Sequence, residues 1–160
     1  MTDALVLVGA LRERGWTLGV AESLTGGAVV SEIVSVPGAS AVLRGGVVAY
    51  ATPLKHTLLG VDAALLAEHG PVHPDVAAQM AEGIRRAVAV DGRPAEVGVA
   101  TTGIAGPDSP DGQPVGTVHI GVVTPNGIRS IPHLFSGTRA EIRRQAKDAA
   151  IAAVLQNVRE

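Results

Sequence analysis

The apolar residues of this chain follow two spacings, and segments of the two kinds mostly alternate. Segments of the first kind repeat apolar residues at helical spacing, which predicts amphipathic helices. They cover residues 2–14, 25–36, 62–69, 75–90 and a C-terminal stretch from 138. Segments of the second kind are short apolar runs, which are typical of buried strands. They cover residues 17–22, 45–50, 96–102, 115–123 and 128–135.

This alternation predicts an α/β fold, a three-layer α/β/α domain with a mixed sheet of about five strands. Residues 124–127 read TPNG, a turn sequence, so we expect the last two strands to form a hairpin. No repeat, linker or low-complexity tract interrupts the pattern, and we expect residues 1–160 to form a single domain. The long irregular stretch at 103–114 has a length that usually indicates a functional or mobile loop.

Two helix starts carry local signals. Thr52 and Pro53 predict an N-cap hydroxyl followed by proline at the first helical position, and Gly60 ends that short helix. Thr138 and Glu141 have the spacing of a capping box, which predicts the start of the C-terminal helix.

Composition narrows the possible classes of protein. Apolar residues make up 46% of the chain and aromatic residues only 2%, so we expect a core of Ala, Val, Ile and Leu. A formal net charge of −2 and few aromatic residues argue against nucleic acid or a membrane surface as a partner. The chain has no cysteine, no basic signal-peptide region and no apolar run of membrane-spanning length. We therefore expect a cytoplasmic protein.

Lysine is scarce in this chain. Of its 13 cationic side chains, only Lys55 and Lys147 are lysines. Lys147 lies in the C-terminal helical pattern, where we expect a solvated charge. Lys55 lies five residues after Tyr50, just inside a predicted helix start. Because a buried lysine can release its proton and act as a base, whereas arginine stays protonated, Lys55 is the first candidate for chemistry.

The sequence AESLTGG at residues 21–27 places Ser23 where the first strand turns into a helix. Gly26 and Gly27 allow the backbone to approach a ligand, and free N–H groups at a helix start attract an anion or oxyanion. We therefore expect Thr25, Gly26 and Gly27 to bind substrate. Ser23 could project from the sheet edge as a nucleophile does. The alternative is that Ser23 or Thr25 only caps the helix.

Tyr50 and Lys55 form a second candidate pair. Lys55 is expected near the third helical position, where the helix dipole would lower its pKa, and burial would lower the pKa further. A neutral amine can take a proton from a serine hydroxyl, and Tyr50 could assist. The alternative is a solvated lysine on a surface helix beside a packing tyrosine.

Two further segments suggest a ligand pocket. Thr102 and Gly103 open the block TTGIAGPD, whose hydroxyls and glycines suit a wall of polar groups around a ligand. Arg139 opens the last helix, where it could hold a phosphate. The alternatives are a glycine- and proline-rich turn and a solvated arginine.

The histidines do not indicate a metal site. The five of them lack ligand-type spacing, and the chain has neither Cys nor a paired-histidine motif. Asp108 and Asp111 read as solvated turn residues, although Mg²⁺ is an open alternative there. We expect no metal and no cofactor.

Taken together, five blocks of this sequence resemble the C-terminal domain family of the competence/damage-inducible protein CinA. They span nearly the whole chain, in order. The blocks are AESLTGG, GGVVAYATPLKHTLLGV, EHGPVHPDVAAQMAEGIRR, TTGIAGPDSPDGQPVGTVHIGV and FSGTRAEIRRQA. The resemblance implies a three-layer α/β/α fold and a nicotinamide mononucleotide deamidase of the Ser/Lys type.

By position, the resemblance implies roles for six of the residues named above. Ser23 becomes the nucleophile, Lys55 its general base and Tyr50 an assisting hydroxyl. The substrate pocket then contains Thr102 and Gly103, and Arg139 becomes a candidate phosphate contact.

Two positions depart from the family pattern. His73 stands where members commonly have serine, and Thr138 where they commonly have aspartate. Larger relatives carry an additional N-terminal domain, so the chain resembles a stand-alone form.

The leading hypothesis is metal-independent hydrolysis of the carboxamide of a pyridine mononucleotide. In it, backbone N–H groups near Gly26, Gly27 or Gly103 stabilise the oxyanion. The rival is a nucleotide-binding or sensor domain without catalysis, and a third possibility is hydrolysis of another small amide. We also expect a homo-oligomer.

Overall fold

The computed structural model describes all 160 residues, and a five-stranded sheet separates its helices into two layers. The helices are α1 (Asp3–Arg14), α2 (Ala28–Val34), α3 (Thr52–Thr57), α4 (Ala63–His69), α5 (Pro74–Ala87) and α6 (Arg139–Arg159). The strands are β1 (Leu18–Glu22), β2 (Leu43–Val48), β3 (Val97–Gly103), β4 (Thr117–Thr124) and β5 (Gly127–Leu134).

The strand order in the sheet is β2-β1-β3-β4-β5. β1 pairs parallel with both β2 and β3, whereas β4 pairs antiparallel with β3 and β5. Pro125 and Asn126 connect β4 to β5 in the hairpin that the turn sequence predicts. The α/β fold with a mixed five-stranded sheet is thus confirmed. Because β1, β2 and β3 run parallel, the segments that follow them meet at one sheet edge.

The two helical layers bury different parts of the sheet. Helices α1, α2 and α6 cover one face, and α5, with α4 beside it, covers the other. The fully buried side chains include no aromatic ring, and Trp16 and Phe135 only pack against the edge of the core. The predicted aliphatic core is therefore confirmed. None of the helices combines the length and the hydrophobicity needed to cross a membrane.

Helix α5 lies unusually close to the sheet at two glycines. A Cβ atom at Gly98 would overlap the carbonyl oxygen of Ala81, and one at Gly121 would overlap that of Ala77. Both carbonyls belong to the α5 backbone, which cannot move aside as a flexible side chain can. The glycines on β3 and β4 thus set how close α5 packs on the sheet.

Two helix starts differ from their predictions, and the start of α6 after Thr138 is confirmed. Thr52 is the first residue of α3 and Ala51 is its N-cap, with no side-chain capping bond. Helix α2 begins at Ala28 rather than Thr25, because Gly26 and Gly27 have positive φ angles of 61° and 104°. At α6, the N–H of Glu141 donates to the hydroxyl oxygen of Thr138 over 3.2 Å, but the Glu141 side chain returns no bond.

Candidate active site

Ser23 follows β1 directly and begins the turn that leads into α2. The N–H of Gly26 donates to the Ser23 carbonyl, and the N–H of Ala28 donates to the Thr25 carbonyl, both over 3.1 Å. The N–H of Ser23 itself donates to the hydroxyl of Thr101 on β3 over 3.2 Å. Two hydrogen-bonded turns therefore fix the backbone around Ser23, and β3 supports them from the side.

Glu22 is a buried anchor whose role the sequence analysis missed. One oxygen of its carboxylate accepts from the N–H of Val29 over 2.9 Å, and the other accepts from the N–H of Val30 over 3.1 Å. The side chain is fully buried. A glutamate at the end of an otherwise apolar strand was the available signal, since buried carboxylates require partners. Glu22 thus joins the end of β1 to the first turn of α2.

Lys55 reaches Ser23 from helix α3. Its Nζ lies 3.0 Å from Ser23 Oγ, 2.6 Å from the carbonyl oxygen of Ala49 and 3.4 Å from that of Tyr50. Only 1% of the Lys55 surface is exposed, against 8% for Ser23. Lys55 is therefore neither solvated nor paired with a carboxylate, and the surface-helix alternative is wrong.

Burial lowers the pKa of Lys55 from 10.5 to about 8. The helix dipole, which we expected to contribute, is not the cause. Helix α3 has only six residues and begins at Thr52, so Lys55 lies in its last turn, where the dipole favours an ammonium. Loss of hydration alone destabilises the charged form here.

The three partners of Lys55 Nζ fit either protonation state in number, because an ammonium can donate to all three oxygens. A neutral amine has two N–H groups, which can donate to the carbonyls of Ala49 and Tyr50, and one lone pair. That lone pair can then accept the proton of the Ser23 hydroxyl. The contacts around Nζ are thus compatible with the neutral form of lysine that acts as a base.

Three threonines beside the pair use their hydroxyls internally. The hydroxyl oxygens of Thr25 and Thr101 lie 2.9 Å apart, and the Thr102 hydroxyl donates to the carbonyl of Pro71 over 2.7 Å. All three residues are buried. Thr25 and Thr102, which we predicted to bind substrate, therefore hold neighbouring segments in place with their side chains.

Arg139 and Tyr50 lie together at the mouth of the site. One Arg139 Nη donates to the carbonyl of Gly106 over 2.7 Å, and the other lies 3.3 Å from the Tyr50 hydroxyl. Arg139 forms no ion pair with a carboxylate, and Tyr50 is 63% exposed. The Tyr50 hydroxyl makes no bond to Ser23 or Lys55. Tyr50 contacts the pair through its backbone carbonyl, which lies 3.4 Å from Lys55 Nζ.

A cavity of about 250 Å³ lies beside Tyr50, whose carbonyl contacts Lys55 Nζ, although neither Ser23 nor Lys55 lines it. The predicted site residues Tyr50, Gly103 and Arg139 line it, together with Pro71, Val72 and residues 104–106, 108, 110 and 111 of the long loop. The loop after β3 thus forms one wall of the cavity. The lining offers one guanidinium and the carboxylates of Asp108 and Asp111 to a ligand.

Free backbone donors follow the nucleophile candidate in the turn. The N–H groups of Leu24, Thr25 and Gly27 make no hydrogen bond within the protein, whereas that of Gly26 is already bonded to the Ser23 carbonyl. Thr25 has no exposed surface, but Leu24 is 5% exposed. Of the donors that we expected, the Gly26 N–H is occupied and the Gly27 N–H is free. The Leu24 N–H, next to Ser23 in the chain, is an additional candidate for an oxyanion donor.

Histidines contribute no further cluster to the site. No group of three His, Cys, Asp or Glu side chains is arranged to hold a metal ion. His73 caps α5, because its Nδ1 accepts from the N–H of Asp75 over 3.1 Å. The residue that departs from the family pattern thus performs a structural role that a serine also performs.

Fold and site together define a three-layer α/β/α domain with a buried serine–lysine pair at the carboxyl edge of its parallel strands. The model of the CinA C-terminal domain matches residues 2–158 of the chain. The chain belongs to the CinA C-terminal domain family.

Curated relatives share nearly half of their aligned residues with the chain. A CinA-like protein of Frankia casuarinae is 45% identical over 146 residues, which are 91% of this chain and 33% of that protein. A CinA-like protein of Anaeromyxobacter dehalogenans is 47% identical over 148 residues, which are 91% of this chain and 35% of that protein. The chain thus spans about a third of the length of these relatives.

Solved structures share the fold over nearly the whole chain. A CinA superfamily protein from Klebsiella pneumoniae has a TM-score of 0.91 and 30% identity, over 98% of this chain and 96% of that one. The competence/damage-inducible protein CihA from Agrobacterium tumefaciens has a TM-score of 0.88 and 30% identity, over 100% of this chain and 98% of that one.

Proposed function

We propose that this protein is an amidohydrolase that converts nicotinamide mononucleotide to nicotinate mononucleotide and ammonia. The observation that carries the proposal is a buried lysine Nζ 3.0 Å from a serine Oγ, with its pKa lowered to about 8. A lysine held this way is neutral often enough near neutral pH to act as a general base. The amine provides the base, so the reaction requires no metal-bound hydroxide.

The first half of the reaction forms an acyl-enzyme. Lys55 Nζ takes the proton of Ser23 Oγ as this oxygen attacks the carboxamide carbon. The N–H of Leu24 stabilises the oxyanion of the tetrahedral intermediate, and Gly103, which lines the cavity, is a second candidate. When the C–N bond breaks, the Lys55 ammonium returns the proton to the leaving nitrogen, and ammonia departs.

The second half repeats the chemistry with water. Neutral Lys55 takes a proton from a water molecule, which attacks the acyl carbon, and the C–O bond to Ser23 breaks. Ser23 Oγ recovers its proton from the Lys55 ammonium. The nicotinate product then leaves, and the pair is ready for another cycle.

The choice of substrate rests on the family resemblance and on the cavity. Arg139 is free of carboxylate partners and lines the cavity beside Tyr50, so its guanidinium can bind the phosphate of a mononucleotide. The carboxylates of Asp108 and Asp111 suit a ligand that also carries a cationic ring. Cytoplasmic location and self-association stay predictions from the sequence.

The test is an ammonia assay with nicotinamide mononucleotide and matched variants. Ser23→Ala and Lys55→Met should each lose activity by about 10³-fold or more, while calorimetry still detects binding of the nucleotide. Lys147→Met is the control, because it removes the other lysine, which pairs with Glu32 and Asp148 on the surface. It should keep wild-type activity.

Two outcomes would contradict the proposal. Ammonia release that persists in Ser23→Ala or Lys55→Met would show that the pair does not perform the reaction. Binding of the nucleotide by the wild-type protein without turnover would instead support the rival, a nucleotide-binding or sensor domain.

A further inference from the structure

Arg143 contacts the turn that carries Ser23, although it lies on helix α6. Its Nε donates to the carbonyl of Leu24 over 2.8 Å, and one Nη donates to the carbonyl of Thr25 over 3.3 Å. Leu24 and Thr25 are both buried, and Arg143 has no carboxylate partner. The partly buried guanidinium thus donates hydrogen bonds to two consecutive carbonyls of the turn.

Gly26 makes room for this contact. A Cβ atom at Gly26 would lie 3.3 Å from an Nη of Arg143, and Gly26 has a φ angle of 61°. A larger residue would therefore both crowd the guanidinium and strain the backbone. The absence of a side chain at Gly26 thus leaves room for the Arg143 guanidinium beside the turn.

The two bonds restrain the peptide planes that follow the nucleophile. In a trans peptide the C=O and N–H groups point in opposite directions, so fixing a carbonyl also fixes the N–H of the same plane. Arg143 fixes the Leu24–Thr25 and Thr25–Gly26 planes. The Gly26 N–H in turn donates to the Ser23 carbonyl, which fixes the Ser23–Leu24 plane and the direction of the Leu24 N–H.

We propose that Arg143 is a positioning residue that holds Ser23 and the oxyanion donor of Leu24 in the geometry of the transition state. The inference rests on the proposed serine-based hydrolysis. Arg143 acts through the backbone of the turn and touches neither substrate nor reacting atoms. Its loss should therefore slow the chemical step and leave substrate binding unchanged.

The main experiment measures kcat and KM for nicotinamide mononucleotide in Arg143→Gln and Arg143→Lys. We expect kcat to fall about tenfold or more in Arg143→Gln, with KM within about twofold of wild type. Arg143→Lys keeps the charge but cannot donate to both carbonyls in the same way, so it should be intermediate. The control is Arg144→Gln, an exposed neighbour without hydrogen bonds, which should match wild type.

A second measurement is independent of the substrate. A small sulfonyl fluoride sulfonylates an activated serine, and mass spectrometry follows the rate at which Ser23 is modified. The rate should fall in Arg143→Gln together with kcat. Thermal unfolding identifies any variant that does not fold, and if Arg143→Gln fails, Arg143→Lys decides.

The outcomes separate this inference from the proposed function. If kcat and the labelling rate of folded Arg143→Gln stay within twofold of wild type, the role of Arg143 is wrong and the proposed function stands. If wild type releases no ammonia but Ser23 is labelled, the proposed substrate is wrong and the labelling rates still test Arg143. If Ser23 of the wild type is not labelled and no ammonia forms, both proposals fall.

Discussion

Lys55 Nζ lies 3.0 Å from Ser23 Oγ, although the two residues are 32 positions apart in the chain. Sheet topology explains the contact. β1 and β2 are parallel neighbours, so the segments after Glu22 and Val48 leave the sheet at the same edge. Ser23 follows β1 at once, and the short helix α3 returns Lys55 to it. The pair is therefore a product of the parallel pairing.

The pKa of Lys55 predicts how the reaction depends on pH. Only the neutral amine can accept the Ser23 proton, and burial lowers the pKa of Lys55 to about 8. kcat/KM for the amide should therefore rise about tenfold per pH unit below 8 and level off above it. A profile from pH 6 to 10 checks this. A rate that falls as pH rises through 8 would exclude Lys55 as the base.

The same pKa predicts a dependence of stability on pH that requires no substrate. Below pH 8, Lys55 is protonated in both states, and the folded state bears the cost of a buried ammonium. Between about pH 8 and 10.5, the folded protein has released this proton while the unfolded chain retains it. Unfolding then takes up a proton, so stability rises with pH across this window.

The measurement is urea unfolding of wild type and Lys55→Met across that window. From 8 to 10.5, wild type should gain up to about 3 kcal/mol in free energy of unfolding relative to Lys55→Met. Using the difference between the proteins removes the titration of other groups that they share. A difference that does not change with pH would mean that Lys55 titrates normally in the folded state.

Much of the fold could be predicted from the sequence, because helices, strands and turns depend on residues that are close together in the chain. The helical and strand spacings placed every major element, and the TPNG turn placed the β4–β5 hairpin. The scarcity of lysine pointed to Lys55, which is buried beside Ser23. A cationic side chain that is costly to bury is retained where its chemistry is used.

The parts that the sequence did not reveal depend on distant segments. The strand order and the contact of Arg143 with the Leu24 carbonyl join residues far apart in the chain. The hydroxyl of Thr102 was expected to face a ligand, but it is bonded to Pro71 from another loop. Such long-range hydrogen bonds produce no periodic pattern in a single sequence.

Glu22 should contribute more to the stability of the protein than its position at a strand end suggests. Both oxygens of its buried carboxylate accept N–H bonds from α2. Glu22→Gln replaces one acceptor by an amide donor that faces an N–H group, so we expect a loss of about 1–3 kcal/mol in urea unfolding. Glu13→Gln, on an exposed face of α1, is the control and should change stability by less than about 0.5 kcal/mol. Equal effects of the two variants would contradict the anchoring role.

Arg139 should discriminate between substrates with and without a phosphate. If its guanidinium binds the phosphate, Arg139→Met should raise KM for nicotinamide mononucleotide by about tenfold to a hundredfold. This increase corresponds to the loss of one charge-assisted hydrogen bond. KM for the corresponding nucleoside, which lacks the phosphate, should hardly change. Arg139 also donates to the Gly106 carbonyl in the cavity wall. If that contact were its main role, both substrates would lose affinity equally, so the ratio of the two KM values decides between phosphate binding and support of the wall.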